Sequence, residues 1–346
     1  MVAARNSRHP LFLFVLLTSF LISSVFLSFA SPTETKKTRP TQPQETAIDP
    51  AISGRVAFTH FNDRNGLPQN AIQAMAFDKK GYLWIGSQDG AAYYNGRVWT
   101  VVNMPNRTIS NFVRAILVAS DESIWFGRQE GGVSRLKDGN WTTVDEKSGL
   151  PDKRVNALLE TKSADGSSTI WIGTDRGLTQ LRNGELSRAD SNGPFPGERV
   201  TSLIESRNSD GSAVVWVGNE KGLVRFSNTE RKTFTVSDGL PRDHVTCLLA
   251  TTDSKGQAVL WAGTRDGLIR YDIHENRFSL IDSKSGLPPN TIVSLAETIE
   301  ADGSRVLWAG TDAGGLLRHQ DGHGPYSPHT KDCLRIQFLV FYQALE

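Results

Sequence analysis

The chain has 346 residues, and its 38 Lys and Arg against 37 Asp and Glu leave it nearly neutral, with no electrostatic case for binding nucleic acid. Hydrophobic residues make up 38% and charged residues 22%, and there are 31 Gly, which describes a globular, turn-rich protein rather than a disordered or fibrous one. Two cysteines are too few for a disulfide framework, so a small stapled scaffold is excluded.

Residues 1–30 stand outside the fold: Arg5 and Arg8 precede an uncharged apolar stretch from Leu11 to Ala30, and Ser28-Phe29-Ala30 has small residues where a signal peptidase reads. This predicts an exported chain, with residues 1–30 a signal peptide or an uncleaved N-terminal anchor. Residues 31–54 are rich in Pro, Thr and charge without an apolar period, as in a disordered linker.

From there a repeat organises the chain. A Trp followed two residues later by Gly occurs at Trp84, Trp125, Trp171, Trp216, Trp261 and Trp308, at spacings of 41, 46, 45, 45 and 47 residues. Eight Trp and 31 Gly in 346 residues put the chance expectation at about 0.7 such pairs. Around each Trp the order is the same: a loop such as SDGLPRDHV, an apolar run, a polar turn, a segment such as LWAGT, a turn ending in Gly, then GLIRY and a last segment led by an aromatic. That is four short strands per copy.

The first strand of each copy is apolar on both faces, as in Val155-Asn156-Ala157-Leu158-Leu159, so its sheet must be covered on both sides. One column in it is always small: Ala74, Ala115, Ala157, Ser202, Cys247 and Ser294. Sheets that converge on a common axis require this. The prediction is an all-β protein, a β-propeller of four-stranded antiparallel blades over residues 55–328 with six recognisable repeats, followed by an atypical tail, 329–346. The Trp residues are predicted to wedge between neighbouring blades, and Cys247 to be an inert core thiol. Because FTHFNDRNGLP from Phe58 matches the aromatic-led last segments, residues 56–61 are predicted to close the ring by pairing with the last blade.

Residues 66–94, GLPQNAIQAMAFDKKGYLWIGSQDGAAYY, with copies from Gly149, Gly239 and Gly286 and weaker ones near Pro105 and Pro196, resemble the two-component regulator propeller repeat. The resemblance covers about residues 56–320. It implies the extracytoplasmic sensing part of a membrane receptor whose cytoplasmic part is a histidine kinase, a hybrid kinase or a cyclase, with a carbohydrate or other nutrient as ligand. The family usually forms seven-bladed rings followed by a membrane helix. Six Trp-x-Gly cores and a tail without a repeat depart from that, so a truncated chain is expected, in which six blades close on themselves or a seven-bladed ring lacks one.

No catalytic or metal-binding constellation is present in the sequence, and neither cofactor nor catalysis is expected. The expected ligand face is one mouth of the central channel, formed by the loops leading into the first strands: Asn70, Asn111, Arg114, Lys153, Arg154, Glu198, Arg199, Asp243, His244 and Asn290. These positions are polar and varied on a repetitive frame, and three of them are arginines suited to carboxylate or sulfate groups. The partner expected is a small molecule or oligosaccharide, with a homodimer or a receptor chain as a further one. A propeller lyase or glycosidase and a protein interaction scaffold are the alternatives.

Overall fold

The computed structural model describes residues 59–320 except 107–109, 164, 190–196, 208–210, 228–229, 254, 288, 300–302 and 314, together with the backbone of Phe14–Val15 and Ser327–Pro328. Apart from the backbone of Phe14–Val15, the signal segment lies outside the described residues, as do the linker and the tail beyond Pro328 with Cys333.

Six four-stranded antiparallel sheets follow one another along the chain. Their innermost strands are Ile72–Phe77, Val113–Val118, Val155–Lys162, Val200–Arg207, Val245–Thr252 and Ile292–Ile299, and each sheet runs from this strand outward in chain order. We number the blades 1 to 6 in that order. Every inner strand carries a β-bulge just after its first residue, between Val155 and Ala157 in blade 3 and at the matching place in the other five. The bulge turns one residue per strand off the regular alternation.

Blades meet through apolar faces. One core unites Trp84 of blade 1 with Val113 and Phe126 of blade 2, another joins Trp125 to Val155 and Ile172, and a third joins Trp216 to Val245 and Leu260. All six Trp are buried. Each indole N–H is also satisfied: Trp171, Trp216, Trp261 and Trp308 donate to the hydroxyls of Thr161, Ser206, Thr251 and Thr298 at 2.8–3.1 Å. Trp84 and Trp125 donate instead to Asp78 and Ser123, both at 2.9 Å. A buried donor left open would forfeit its full hydration, so these six partners matter as much as the apolar contact.

The Gly of each Trp-x-Gly explains the spacing of the sheets. A Cβ on Gly86, Gly127, Gly173, Gly218 or Gly263 would fall 2.4–2.8 Å from a methyl of Val113, Val155, Val200, Val245 or Ile292, the first inner-strand residue of the next blade. The small column packs against the same glycines from within the blade: the Cβ built on Gly127 lies 3.2 Å from Ala115, and that on Gly263 lies 2.5 Å from the Cys247 sulfur. Small residues there reflect this contact as well as convergence on the axis.

The expected closure is not what the described residues show. Thr59–His60 pairs in parallel with Phe14–Val15, and the outermost position of blade 6 is taken by Ser327–Pro328 alongside Leu317 and Arg318. Antiparallel return to a neighbouring strand closes a short loop, whereas bringing the chain start to the last blade closes one of several hundred residues; entropy favours the former. Pro328 is tolerated because an edge strand needs no outward N–H. Phe61 instead packs on blade 1, its ring centroid 5.2 Å from Tyr94 and 5.6 Å from Trp99. The inner strands of successive blades lie against one another from blade 1 through blade 6, but no interface of similar extent joins the inner strands of blades 6 and 1 among the described residues. The apolar clusters on the two end faces, Ala296, Val306, Trp308 and Leu316 in blade 6 and Ile72, Leu83 and Ile85 with their neighbours in blade 1, are accordingly separate.

Candidate functional site

The leading loops are built by one recurring device. In Asn62–Leu67, Asp145–Leu150 and Asp282–Leu287 the first residue's side chain accepts a backbone N–H two residues on, a single 3-10 turn follows, and a Gly with φ 87–102° reverses the chain. Only Gly occupies that region cheaply. The Leu of each Gly-Leu-Pro, Leu67, Leu150, Leu240 and Leu287, is buried and anchors the loop. The loop into blade 2 lacks this sequence and is held by Arg128, buried at 1% exposure, whose Nη1 and Nη2 donate to the carbonyls of Pro105 and Ser110 at 3.1 and 2.9 Å.

Against this frame the ten predicted residues divide. Asn70 and Asp243 serve the scaffold: their carboxamide and carboxylate accept the backbone N–H of Asp63 at 2.7 Å and of Val236 at 3.0 Å. Lys153 pairs with Glu130 at 3.4 Å, and Glu198 pairs with Lys221. Asn111 and Asn290 are half-buried in their loops, and neither hydrogen-bonds to the arginines among the described residues.

Arg114, Arg154 and Arg199, from blades 2, 3 and 4, are brought together around Asp175, which sits in the turn after the Trp strand of blade 3. Arg154 Nη1 lies 3.3 Å and Arg199 Nε 3.2 Å from its carboxylate, and Asn156 Nδ2 donates to it at 2.8 Å. Arg199 Nη1 also reaches Glu220 at 3.3 Å. Arg114 donates from Nε to Gln129 and from Nη1 to Asn156 Oδ1 at 3.1 Å, with the Phe112 ring 5.3 Å beneath its guanidinium. Burial pushes the Asp175 carboxyl up, but the Asn156 hydrogen bond and the charges of Arg199 and Arg154 outweigh it and hold it below its ordinary value. His244 lies beside this network; its burial and the charge of Arg265 lower its pKa.

Asn156, Asp175, Gln129 and Glu220 complete the cluster that the loop residues alone only half define. Asn156 occupies the bulge position; the matching residues Gln73, Arg114, Thr201 and Thr246 are polar inside otherwise apolar strands, which is the signal in the sequence, while blade 6 has Val293 there. A separate cleft between blades 5 and 6, lined by Trp261, Arg270, Glu297 and Arg305, encloses about 20 Å³, room for one water and far below what a small-molecule ligand needs.

The Gly-Leu-Pro end of the leading loop of blade 1, its bulged inner strand and its Trp strand fall within the stretch that matches a known family, Two component regulator propeller, over residues 66–89. Residues 66–89 are thus similar to a regulator-propeller repeat. The other five blades repeat its architecture. Solved structures similar to this chain include the extracellular domain of the hybrid two component system BT4673 from B. thetaiotaomicron, 20% identical over 77% of this chain and 34% of that one, with a TM-score of 0.58. The extracellular domain of BT3049 from the same organism is 18% identical over 80% of this chain and 37% of that one, with a TM-score of 0.60. Virginiamycin B lyase from Staphylococcus aureus is 16% identical over 75% of this chain and 84% of that one, with a TM-score of 0.55. The chain spans 34–37% of the length of the two extracellular domains. At these identities the likeness is one of fold. No curated protein sequence matches the chain.

Proposed function

We propose that this regulator propeller is an exported ligand-binding module of a two-component-type receptor, taking an oligosaccharide or similar nutrient at the mouth lined by Arg114, Asn156, Asp175 and Arg199, without chemistry of its own. The observation that carries the reading is the contrast between frame and mouth. Six blades repeat the same buried Trp and five of them the same glycine contact with the next blade, while the bulge column changes from Gln73 to Arg114, Asn156, Thr201, Thr246 and, in blade 6, Val293. Invariant packing around a variable polar end is what recognition on a rigid scaffold requires. The regulator-propeller repeat at residues 66–89 supports the sensing role, while the fold itself is shared with extracellular domains of two component systems and with a lyase alike.

The test is a thermal-shift screen of the whole chain against neutral and acidic oligosaccharides. A ligand at about 100 times its Kd should stabilise by about 2.7 kcal/mol, a shift of several degrees that saturates. Asn156→Ala should abolish the shift. A shift unaffected by Asn156→Ala would move the site elsewhere, and cleavage of any bound oligosaccharide would replace the sensor by an enzyme.

A further inference from the structure

Arg114 is placed as a structural residue would be and bonded as one would not be. In blades 3, 4 and 5 the bulge residue fastens its blade to the next: Asn156 donates to the carbonyl of Val200 at 3.0 Å, Thr201 to that of Val245 at 2.7 Å, and Thr246 to that of Ile292. Arg114 holds the same place in blade 2 but reaches past the matching carbonyl of Val155 to the side chains of Gln129 and Asn156. Both are neutral amides. Among the described residues no carboxylate pairs with Arg114, whereas Arg154, Arg176, Arg199, Lys153 and Lys221 around it all have one.

The surrounding charges do not make up the difference. Lys153 with Glu130, Arg176 with Asp152 and Lys221 with Glu198 cancel pairwise. That leaves three guanidiniums, of Arg114, Arg154 and Arg199, against two carboxylates, of Asp175 and Glu220, hence one uncompensated positive charge. It falls on the half-buried member. Burial, and then the positive charge of Arg199, lower the pKa of Arg114, and Asp175 only partly offsets them. A guanidinium withdrawn from water without a counter-charge is a cost that an incoming oxyanion removes, and its planar fork fits the two oxygens of a carboxylate or sulfate.

We propose that Arg114, flanked by Arg154 and Arg199, is a receptor for an anionic group of the ligand, the carboxylate of a uronic acid or a sulfate ester. This rests on the reading of the mouth as the ligand site. Hydroxyls of a neutral sugar would leave the charge where it is; an anion neutralises it and takes the donors of Arg114 that Gln129 and Asn156 do not use.

The experiment is calorimetric titration of the whole chain at low salt with two matched pairs: oligogalacturonate and its methyl ester, and a chondroitin sulfate oligosaccharide and its desulfated form. Within at least one pair the form that keeps the anionic group should bind about tenfold more tightly, and which pair does so distinguishes carboxylate from sulfate. Arg114→Gln should abolish that preference, Arg154→Gln, on an exposed side chain, should weaken it, and Arg182→Gln on the outer part of blade 3 should leave it intact. Equal binding of both members of each pair would overturn the anion assignment while leaving the mouth as the site. Preference retained in Arg114→Gln and Arg154→Gln would also overturn it, and absence of binding by all four would remove the mouth reading itself.

Discussion

Gly173 of blade 3 and Val200 of blade 4 touch so closely that a Cβ on the glycine would lie 2.4 Å from Val200 Cγ1 and 2.9 Å from its Cβ. The Trp-x-Gly signature therefore spans two blades. Gly173→Ala should destabilise the protein by about 1–3 kcal/mol through overpacking. Adding Val200→Ala should recover part of that loss, and a double-mutant cycle by chemical denaturation measures the coupling. Strict additivity would mean that the two residues do not restrain each other.

The indole of Trp216 is fully buried and donates to Ser206 Oγ at 2.9 Å. Ser206→Ala should lower stability by about 1–3 kcal/mol by leaving that N–H without a partner. Ser206→Thr should be tolerated, because threonine already fills the matching positions at Thr161, Thr251 and Thr298. Urea midpoints of the two variants decide the matter.

Burial pushes the Cys247 thiol up to about 12, with its sulfur packed against Gly263. In a Cys333→Ser background, native protein at pH 8 should react with a disulfide reagent far more slowly than the unfolded chain, because only the thiolate attacks. The labelling rate then reports the opening of blade 5. Prompt labelling of the native protein would contradict the packing.

The Asp175 carboxyl titrates below its ordinary value of 3.8 in the fold, so the folded state prefers it ionised more strongly than the unfolded chain does. Its contribution is complete above about pH 4 and is lost as the pH falls through the lower folded value. The Tm of the wild type should exceed that of Asp175→Asn at pH 6, and the gap should narrow below pH 4. A gap that is constant from pH 6 to pH 3 would assign the effect to lost hydrogen bonds alone.

Much of the frame was legible because it is repetitive. The Trp spacing, the four segments per copy and the small column are visible in the chain; the Trp residues are all buried, and the small column is buried at Ala74, Ala115, Ala157 and Ser294 and half-buried at Ser202 and Cys247. The indole partners were not, since the acceptor is a hydroxyl ten residues before the Trp in blades 3 to 6 but a carboxylate six residues before it in blade 1 and a hydroxyl two residues before it in blade 2, where the hairpins are shorter. Near Asp175, Arg154 and Arg199 stand out in the sequence by their place in the leading loops. Their shared carboxylate, Asp175, reads in sequence as one more solvated turn residue, and Asn156 reads as an ordinary strand residue because a bulge leaves no mark on composition. The closing strand was misjudged because FTHFND has the composition of an outer strand, while pairing is decided by which edge is near in the chain.

Among the described residues the first and last blades share no interface as extensive as those between successive blades, so the packing that holds a blade is weaker at these two margins, as at the margins of a repeat array. Interior blades are packed on both sides by extensive interfaces and the two marginal ones on one side. Amide hydrogen exchange should then be graded, slowest in the strands around Trp171 and Trp216 and fastest toward Trp84 and Trp308. Melting would begin by fraying from the two flanks, which leaves the arginine-bearing middle, and any recognition it performs, as the last part to be lost.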